Sequence, residues 1–318
     1  MDYINLGKSG IRISRIGLGA WQAAKKSWGP DVEDRTVIMA MVKSYELGIN
    51  FIDTAESYGD GYSEEIVGRA IKEIGRDHLV IATKVHGRHC RYDDVLKAVN
   101  KSLKRLGIKE IDLYQIHWPD PWEQIPMCET MKALEKLFKE GKIRTIGVSN
   151  FAVRDLKEAQ NFLANTEIVS NQVRYNMLQR DIEDSVIPYC NKEKITILAW
   201  SPLAQGLLTG KYGISNKPTD EARKDNRLLY NPNLKEISKF LPLIEKIAKS
   251  HGKSMAQVAL NWLLKENNVV PIPGAKSPSQ AEDNAGAFGW KLNSRELEEI
   301  NDTLSTLSIS YYKYYEDS

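Results

Sequence analysis

One phrase recurs along the chain and restricts what it can fold into: an amphipathic helix, a glycine, then a short apolar run rich in β-branched residues. Val37, Ile38, Met41, Val42 and Tyr45 recur at helical spacing, and Gly48 leads into Ile49-Asn50-Phe51-Ile52-Asp53. Ile66, Val67, Ala70, Ile71 and Ile74 form the next face, followed by Gly75 and the run Leu79 to Lys84. Leu96, Val99, Leu103 and Leu106 precede Gly107 and the run Ile111 to His117. Met127, Met131, Leu134 and Phe138 precede Gly141 and the run Ile143 to Val148. Each glycine stands where a left-handed C-cap stops a helix. Helices alternating with short buried strands predict parallel βα units. Further strands are expected at 168–172, 195–200 and 269–272, with an early one at 16–19, which brings the count to eight. Two prolines near the last strand set it apart from the others. Eight units in a chain of 318 residues predict an α/β fold, a (β/α)8 TIM barrel rather than an open sheet. Tyr3 to Leu6 and Ile11 to Ser14, around Gly7-Lys8-Ser9-Gly10, read as an N-terminal β-hairpin closing the barrel bottom, and extra helices are expected near the C-terminus. No linker or shift in composition divides the chain, so residues 1–318 are expected to form a single domain.

Composition narrows the function classes. Hydrophobic residues make up 42% and charged residues 27%, which excludes disordered and collagen-like chains. Lys plus Arg is 44 against 42 Asp plus Glu, and a net charge of +2 gives no reason to expect a nucleic acid or a membrane surface as partner. No apolar run approaches the ~20 residues of a membrane span, and the first residues lack a signal-peptide pattern. Cys90, Cys128 and Cys190 are odd in number and far apart, as expected of reduced thiols in a cytoplasmic protein.

Barrel active sites gather where the strands end. Asp53 ends the second strand, Lys84 the third and His117 the fourth; Ser149 and Asn150 follow the fifth, Gln172 ends the sixth and Trp200 the seventh. These positions are separated by 23 to 33 residues, close to one βα unit, and should face one central space. Any one of them alone would more often be a solvated strand end. An aspartate, a lysine and a histidine on three successive strands shift the balance toward a site. Tyr58 lies in the loop after Asp53. Lys84 is expected to favour its phenolate and lower its pKa, with Asp53 holding Lys84 by an ion pair. Such a tyrosine can give a proton to a carbonyl oxygen that His117 orients. Near the end, Ser277 reads as an N-cap and Pro278 as the first turn of a helix, and Lys276 beside that terminus makes an anion site.

At these residues the chain resembles the aldo-keto reductase superfamily, most closely in motif its bacterial-type and potassium-channel-subunit branches. The matching stretches are Gly48 to Ala55 with Tyr58-Gly59, Ala82-Thr83-Lys84, Ile116-His117, Gly147 to Phe151, Ala199 to Leu203, and Ile272 to Lys276. The resemblance implies hydride transfer from NADP(H) to a small carbonyl substrate, an aldehyde or ketone, without a metal. Asp53, Tyr58, Lys84 and His117 match the family's catalytic tetrad. Ser149, Asn150 and Gln172 would hold the nicotinamide carboxamide, and Trp200 would stack on the ring. Ser201, Pro202, Leu203, Gln205, Gly206 and Lys211 belong to the loop that crosses the pyrophosphate, and Arg223 is placed near the cofactor too. Gly274, Lys276 and Ser277, followed by Gln280, Asp283 and Asn284, would meet the adenosine end. Trp21 is assigned to both cofactor and substrate.

Trp21, Tyr58, His117 and Trp118 are expected to face the substrate. With Trp28 and Trp122 they suggest an aromatic mouth suited to flat apolar carbonyls, opposed by Arg88 and Arg91, which could clamp an anion. No Gly-x-Gly-x-x-Gly is present, so a Rossmann reading fails. His86, His89 and Cys90 lack a second ligand pair and read as a solvent loop. Two rivals remain. A metal-dependent barrel hydrolase or isomerase using Asp53, Glu56 and His117 leaves Lys84 unexplained. A cofactor-binding regulatory subunit is disfavoured by His117, which the resembling channel branch does not share. Tyr311, Tyr312, Tyr314 and Tyr315 form an aromatic tail whose place stays open, as does homo-oligomer formation.

Overall fold

The structure, a computed structural model, describes residues 1–25, 28, 32–120 and 124–315. Tyr3–Asn5 (β1) and Arg12–Ser14 (β2) pair as an antiparallel hairpin with Ile4 opposite Ile13. Eight further strands form one parallel sheet: Leu18–Gly19 (β3), Phe51–Asp53 (β4), Val80–Val85 (β5), Ile111–Ile116 (β6), Ile143–Ser149 (β7), Ile168–Arg174 (β8), Thr196–Trp200 (β9) and Val269–Pro271 (β10). They are hydrogen-bonded in chain order. The first and last strands then meet: Gly17 N donates to Pro271 O (2.9 Å) and Gly19 N to Pro273 O (3.0 Å). The prolines at this seam lack an N–H but serve as acceptors, which is why the closing strand tolerates them. Gly19 is required there, because a Cβ would lie 2.8 Å from Ile272 O.

One helix follows each of β3 to β8, two follow β9 (Asn231–His251 and Met255–Leu263) and two follow β10 (Pro278–Ala285 and Ser294–Ser305). The additional helices thus fall near the C-terminus, as expected. Gly48, Gly75, Gly107 and Gly141 all have positive φ (91°, 102°, 68° and 69°). Gly75 departs from the expected left-handed cap, since its ψ of 131° sends the chain straight out of the helix.

Strand alternation sorts the side chains into two cores. Outward residues pack under the helices. Inward residues Phe51, Val80, Ala82, Leu113, Leu198 and Val270 fill the lower barrel, and Leu6, Ile11 and Ile13 of the hairpin close it from below. Above this apolar floor the inward positions become polar: Asp53, Lys84, Gln115 and Gln172. Gly147, on β7 opposite Gln115, makes room for that layer. A Cβ at Gly147 would lie 2.9 Å from Leu113 Cδ1 and 3.0 Å from Gln115 Cγ, and closer still to Ser170 Oγ. Gly147→Ala should therefore overpack the barrel and cost about 1–3 kcal/mol. Denaturant unfolding measures it, and an unchanged midpoint would show that the wall has room.

Candidate active site

Lys84 sits on β5 directly above the apolar floor and is fully buried. An ammonium there must be paired, because its effective desolvation penalty is several kcal/mol. All three of its protons are placed: Nζ donates to Asp53 Oδ1 (2.5 Å), Thr54 O (2.9 Å) and Tyr58 OH (3.2 Å). Asp53 Oδ2 in turn accepts from Gln115 Nε2 (3.0 Å) and Gln172 Nε2 (2.8 Å). Burial alone draws the Lys84 pKa down, and Asp53 followed by Tyr58 more than offsets it, so Lys84 is held above the ordinary lysine range.

Tyr58 corrects the expectation from sequence. Burial pushes its phenol up, and the Lys84 ammonium, which pulls the other way, does not win. Burial is the larger effect, and Asp53, paired with the same ammonium, adds to it by opposing a phenolate nearby. The phenol therefore stays protonated at neutral pH. Its oxygen accepts from Lys84, which leaves its own proton for the cleft.

His117 lies one residue past β6, edge-on to Tyr58 at 5.6 Å between ring centroids. Its Nδ1 is 3.1 Å from Ser57 Oγ. Burial, then Lys84 and His86, hold its pKa well below the usual histidine range, so the ring is neutral. Gln115 and Ser57 were not anticipated. Gln115 was within reach of the period-2 rule, two residues before His117 on the same inward face. Ser57 carries no such signal beyond adjacency to Tyr58.

A cleft of about 1140 Å³ runs over these groups and along the strand ends. Every expected site residue lines it except Lys84, which lies beneath, and Ser277. Ser149 Oγ donates to Gln172 O (2.8 Å), and Gln172, with Nε2 committed to Asp53, keeps Oε1 as an acceptor for the cleft. Asn150 adopts a left-handed φ of 63°. Its Nδ2 donates to His117 O and Ser149 Oγ (3.0 Å each), and its Oδ1 accepts from Trp200 Nε1 (3.0 Å).

The loop between β9 and the helix Asn231–His251 contains only short 3-10 turns. Ser201, Ala204 and Gln205 there have φ of 49°, 48° and 55°, strained values that collect at functional sites. Arg223 borders the cleft, but its guanidinium is bound to both Asp220 oxygens (Nε, 2.9 Å each) and to Gln205 O (3.1 Å), so it braces this loop. Ser277 Oγ accepts from Gln280 N (3.3 Å) and caps the helix Pro278–Ala285, as expected. Lys276 Nζ donates to Trp28 O; burial first, then Arg223 and Lys211, lower its pKa, with Asp220 opposing them. Asp283 lines the same wall, although its Oδ1 is held by Ser254 Oγ (2.7 Å), and Asn284 Nδ2 donates to Gly274 O (3.1 Å).

Beside the catalytic candidates Trp21 stacks on Tyr58 (5.9 Å between centroids), with Trp28 edge-on to Trp21 at 4.8 Å. Trp28 is buried and packs under Arg223, so it is chiefly a packing residue. Trp118 stands exposed at the rim, and Trp122 lies outside the described residues. Arg88 and Arg91 border the cleft with exposed side chains. A metal reading using Asp53 is opposed by its surroundings, since both carboxylate oxygens face N–H donors.

Residues 15–305 match the model of the Aldo/keto reductase family. Aldo-keto reductase YhdN of Bacillus subtilis is 38% identical over 96% of this chain and 94% of its own length. The NADH-specific methylglyoxal reductase of Escherichia coli is 32% identical over 92% of this chain and 95% of its own. Among solved structures, an aldo-keto reductase from Klebsiella pneumoniae in complex with NADPH superimposes with a TM-score of 0.79 at 29% identity, covering all of both chains.

The neutral burial of His117 has a consequence for stability. Its folded pKa lies below the unfolded value of about 6.5, so below that pH the unfolded chain takes up a proton that the folded chain refuses. The contribution is fully present above that value and is lost on acidification. His117→Gln should flatten the fall in unfolding free energy between about pH 7 and pH 5, by up to about 1.4 kcal/mol per pH unit. Urea unfolding across that range measures it; parallel curves for the two proteins would contradict a neutral His117.

Proposed function

This chain belongs to the aldo/keto reductase family, and from that premise we propose that it reduces aldehydes or ketones with NADPH, Tyr58 being the general acid. The observation that carries this reading is the saturation of Lys84: its three donors hold Asp53, Thr54 O and the Tyr58 oxygen, leaving the phenol proton free for a carbonyl in the cleft. When bound, NADPH supplies the hydride that the carbonyl carbon receives. Tyr58 gives its proton to the carbonyl oxygen as negative charge develops there. Lys84 then stabilises the phenolate, and Asp53, steadied by Gln115 and Gln172, keeps Lys84 in place. Neutral His117 donates a hydrogen bond that orients the same oxygen. The residues fit the cofactor in kind. Gln172 Oε1 can accept from the carboxamide, Trp200 offers a face at the strand end, and Lys276 with Lys211 offers positive charge for phosphates. Trp21 and Trp118 make an aromatic mouth, which favours aromatic or medium-chain aldehydes over anionic sugars. Residues 1–318 act as one domain in this reading. Three free cysteines suit a reducing cytoplasmic setting, and among the described residues no helix is long and apolar enough to cross a membrane.

Two substitutions test it. Tyr58→Phe keeps the ring and removes the acid, so turnover on a simple aldehyde should fall by ~10² or more with NADPH affinity retained. Near wild-type turnover would remove Tyr58 from the mechanism. Lys276→Ala should weaken NADPH more than NADH, by roughly tenfold or more for one charge-assisted contact. Because one relative is NADH-specific, the wild-type preference must be measured alongside, and equal affinities for the two cofactors would refute the assignment of Lys276.

A further inference from the structure

The tyrosine-rich segment after the helix Ser294–Ser305 folds back onto the strand ends. Ser310 and Asn233 exchange two hydrogen bonds: Ser310 N donates to Asn233 Oδ1 (2.9 Å) and Asn233 Nδ2 to Ser310 O (2.7 Å). Tyr311 OH accepts from Arg180 N (3.1 Å). Arg227 lies 3.6 Å over the Tyr312 ring and donates to its hydroxyl (2.8 Å). The Arg174 guanidinium sits 4.4 Å from the Tyr314 ring centre and 5.3 Å from that of Tyr311, while Tyr314 meets Trp118 edge-on at 5.4 Å. The segment ends its described course with Tyr315 driven inward, 1% exposed.

The Tyr315 hydroxyl accepts from Arg174 N (2.8 Å) and stands 3.0 Å from Asn150 Oδ1. Because a backbone N–H can only donate, the phenol proton must go to Asn150. The Asn150 amide is thereby fixed. Its oxygen faces two donors, Tyr315 OH and Trp200 Nε1, and its nitrogen faces two acceptors, His117 O and Ser149 Oγ. No rotation of the amide keeps all four bonds. Three of the partners belong to the strand ends themselves, and Tyr315 alone comes from a separate segment, 165 residues away.

We propose that Tyr315 is a positioning residue of the cofactor site, acting through Asn150 to hold the amide in the one orientation that serves the nicotinamide end. The inference rests on the reading that Ser149, Asn150 and Gln172 grip the nicotinamide carboxamide. Losing the phenol hydroxyl frees Asn150 Oδ1 of one of its two donors. The cost should appear only in ligands that carry the nicotinamide, because the hydrogen-bond partners of Tyr315 and Asn150 are Arg174, His117, Ser149 and Trp200, none of them assigned to the adenosine end.

The test compares NADPH with 2′-phospho-ADP-ribose, the same molecule without nicotinamide, by titration of tryptophan fluorescence. In Tyr315→Phe the Kd for NADPH should rise roughly three- to tenfold, the scale of one net hydrogen bond. The Kd for 2′-phospho-ADP-ribose should not change, which also reports that the variant is folded. In an Asn150→Ala background the further change Tyr315→Phe should add nothing. Equal weakening of both ligands, no weakening of either, or full additivity with Asn150→Ala would each overturn the proposal. If the wild type itself binds NADPH no more tightly than the fragment, the carboxamide reading fails and takes the proposal with it. That outcome differs from a wild type that gains from the nicotinamide and a Tyr315→Phe variant that gains equally.

Discussion

The ion pair between Lys84 and Asp53 is the constraint on which the upper barrel depends. Two full charges sit above an apolar floor, at a separation of 2.5 Å and almost without exposure to solvent. Desolvation on this scale is compensated only if the remaining protons and lone pairs are also met. Here they are: Thr54 O and Tyr58 complete the lysine, and Gln115 and Gln172 complete the far oxygen of the aspartate. Gln115 needs space inside the barrel, and β7 supplies it with Gly147. One buried charge thus reaches through the packing of five consecutive strands, β4 to β8.

The same pair sets the protonation of its neighbours. A lone ammonium would pull a nearby phenol toward ionisation. Beside a paired one burial decides, and it keeps Tyr58 protonated; at His117 burial and the lysine charge act in the same direction and keep the ring neutral. The site therefore presents two neutral donors side by side above a compensated ion pair. That arrangement suits a carbonyl oxygen, which is neutral at the outset and gains negative charge only as it reacts. In the proposed mechanism the lysine acts without touching the cleft: its ammonium donates to the Tyr58 oxygen and would stabilise the phenolate left when that proton is given up.

Much of this was legible in the sequence because it is periodic. Helix faces and glycine stops located the βα units, and strand ends read in order named Asp53, Lys84, His117 and Gln172. The boundaries were less sharp: β8 runs on to Arg174, two residues past Gln172, since the backbone ladder continues beyond the inward side chain that matters. Tyr58 was misjudged in direction because sequence shows which charges are near but not how deeply the phenol is buried, and burial is the larger effect. Arg223 was placed near the cofactor and does border the cleft; what the sequence did not show is its tie to Asp220, three residues away, a partnership that the spacing allowed but did not demand. The tyrosine tail was illegible for a physical reason. Its anchors lie on Arg174, Arg180, Arg227 and Asn150, distant in sequence and joined by no repeat.

The central claim is that a compensated lysine leaves Tyr58 as a protonated acid across the neutral range. The most direct measurement is single-turnover rapid mixing of the NADPH-loaded protein with an excess of aromatic aldehyde, following loss of cofactor absorbance as pH is raised. The account predicts a rate constant that stays level through neutrality and begins to fall only above about pH 10, the ordinary phenol value. A rate constant that already falls between about pH 7 and pH 9 would mean that the lysine does depress the tyrosine, and would contradict it.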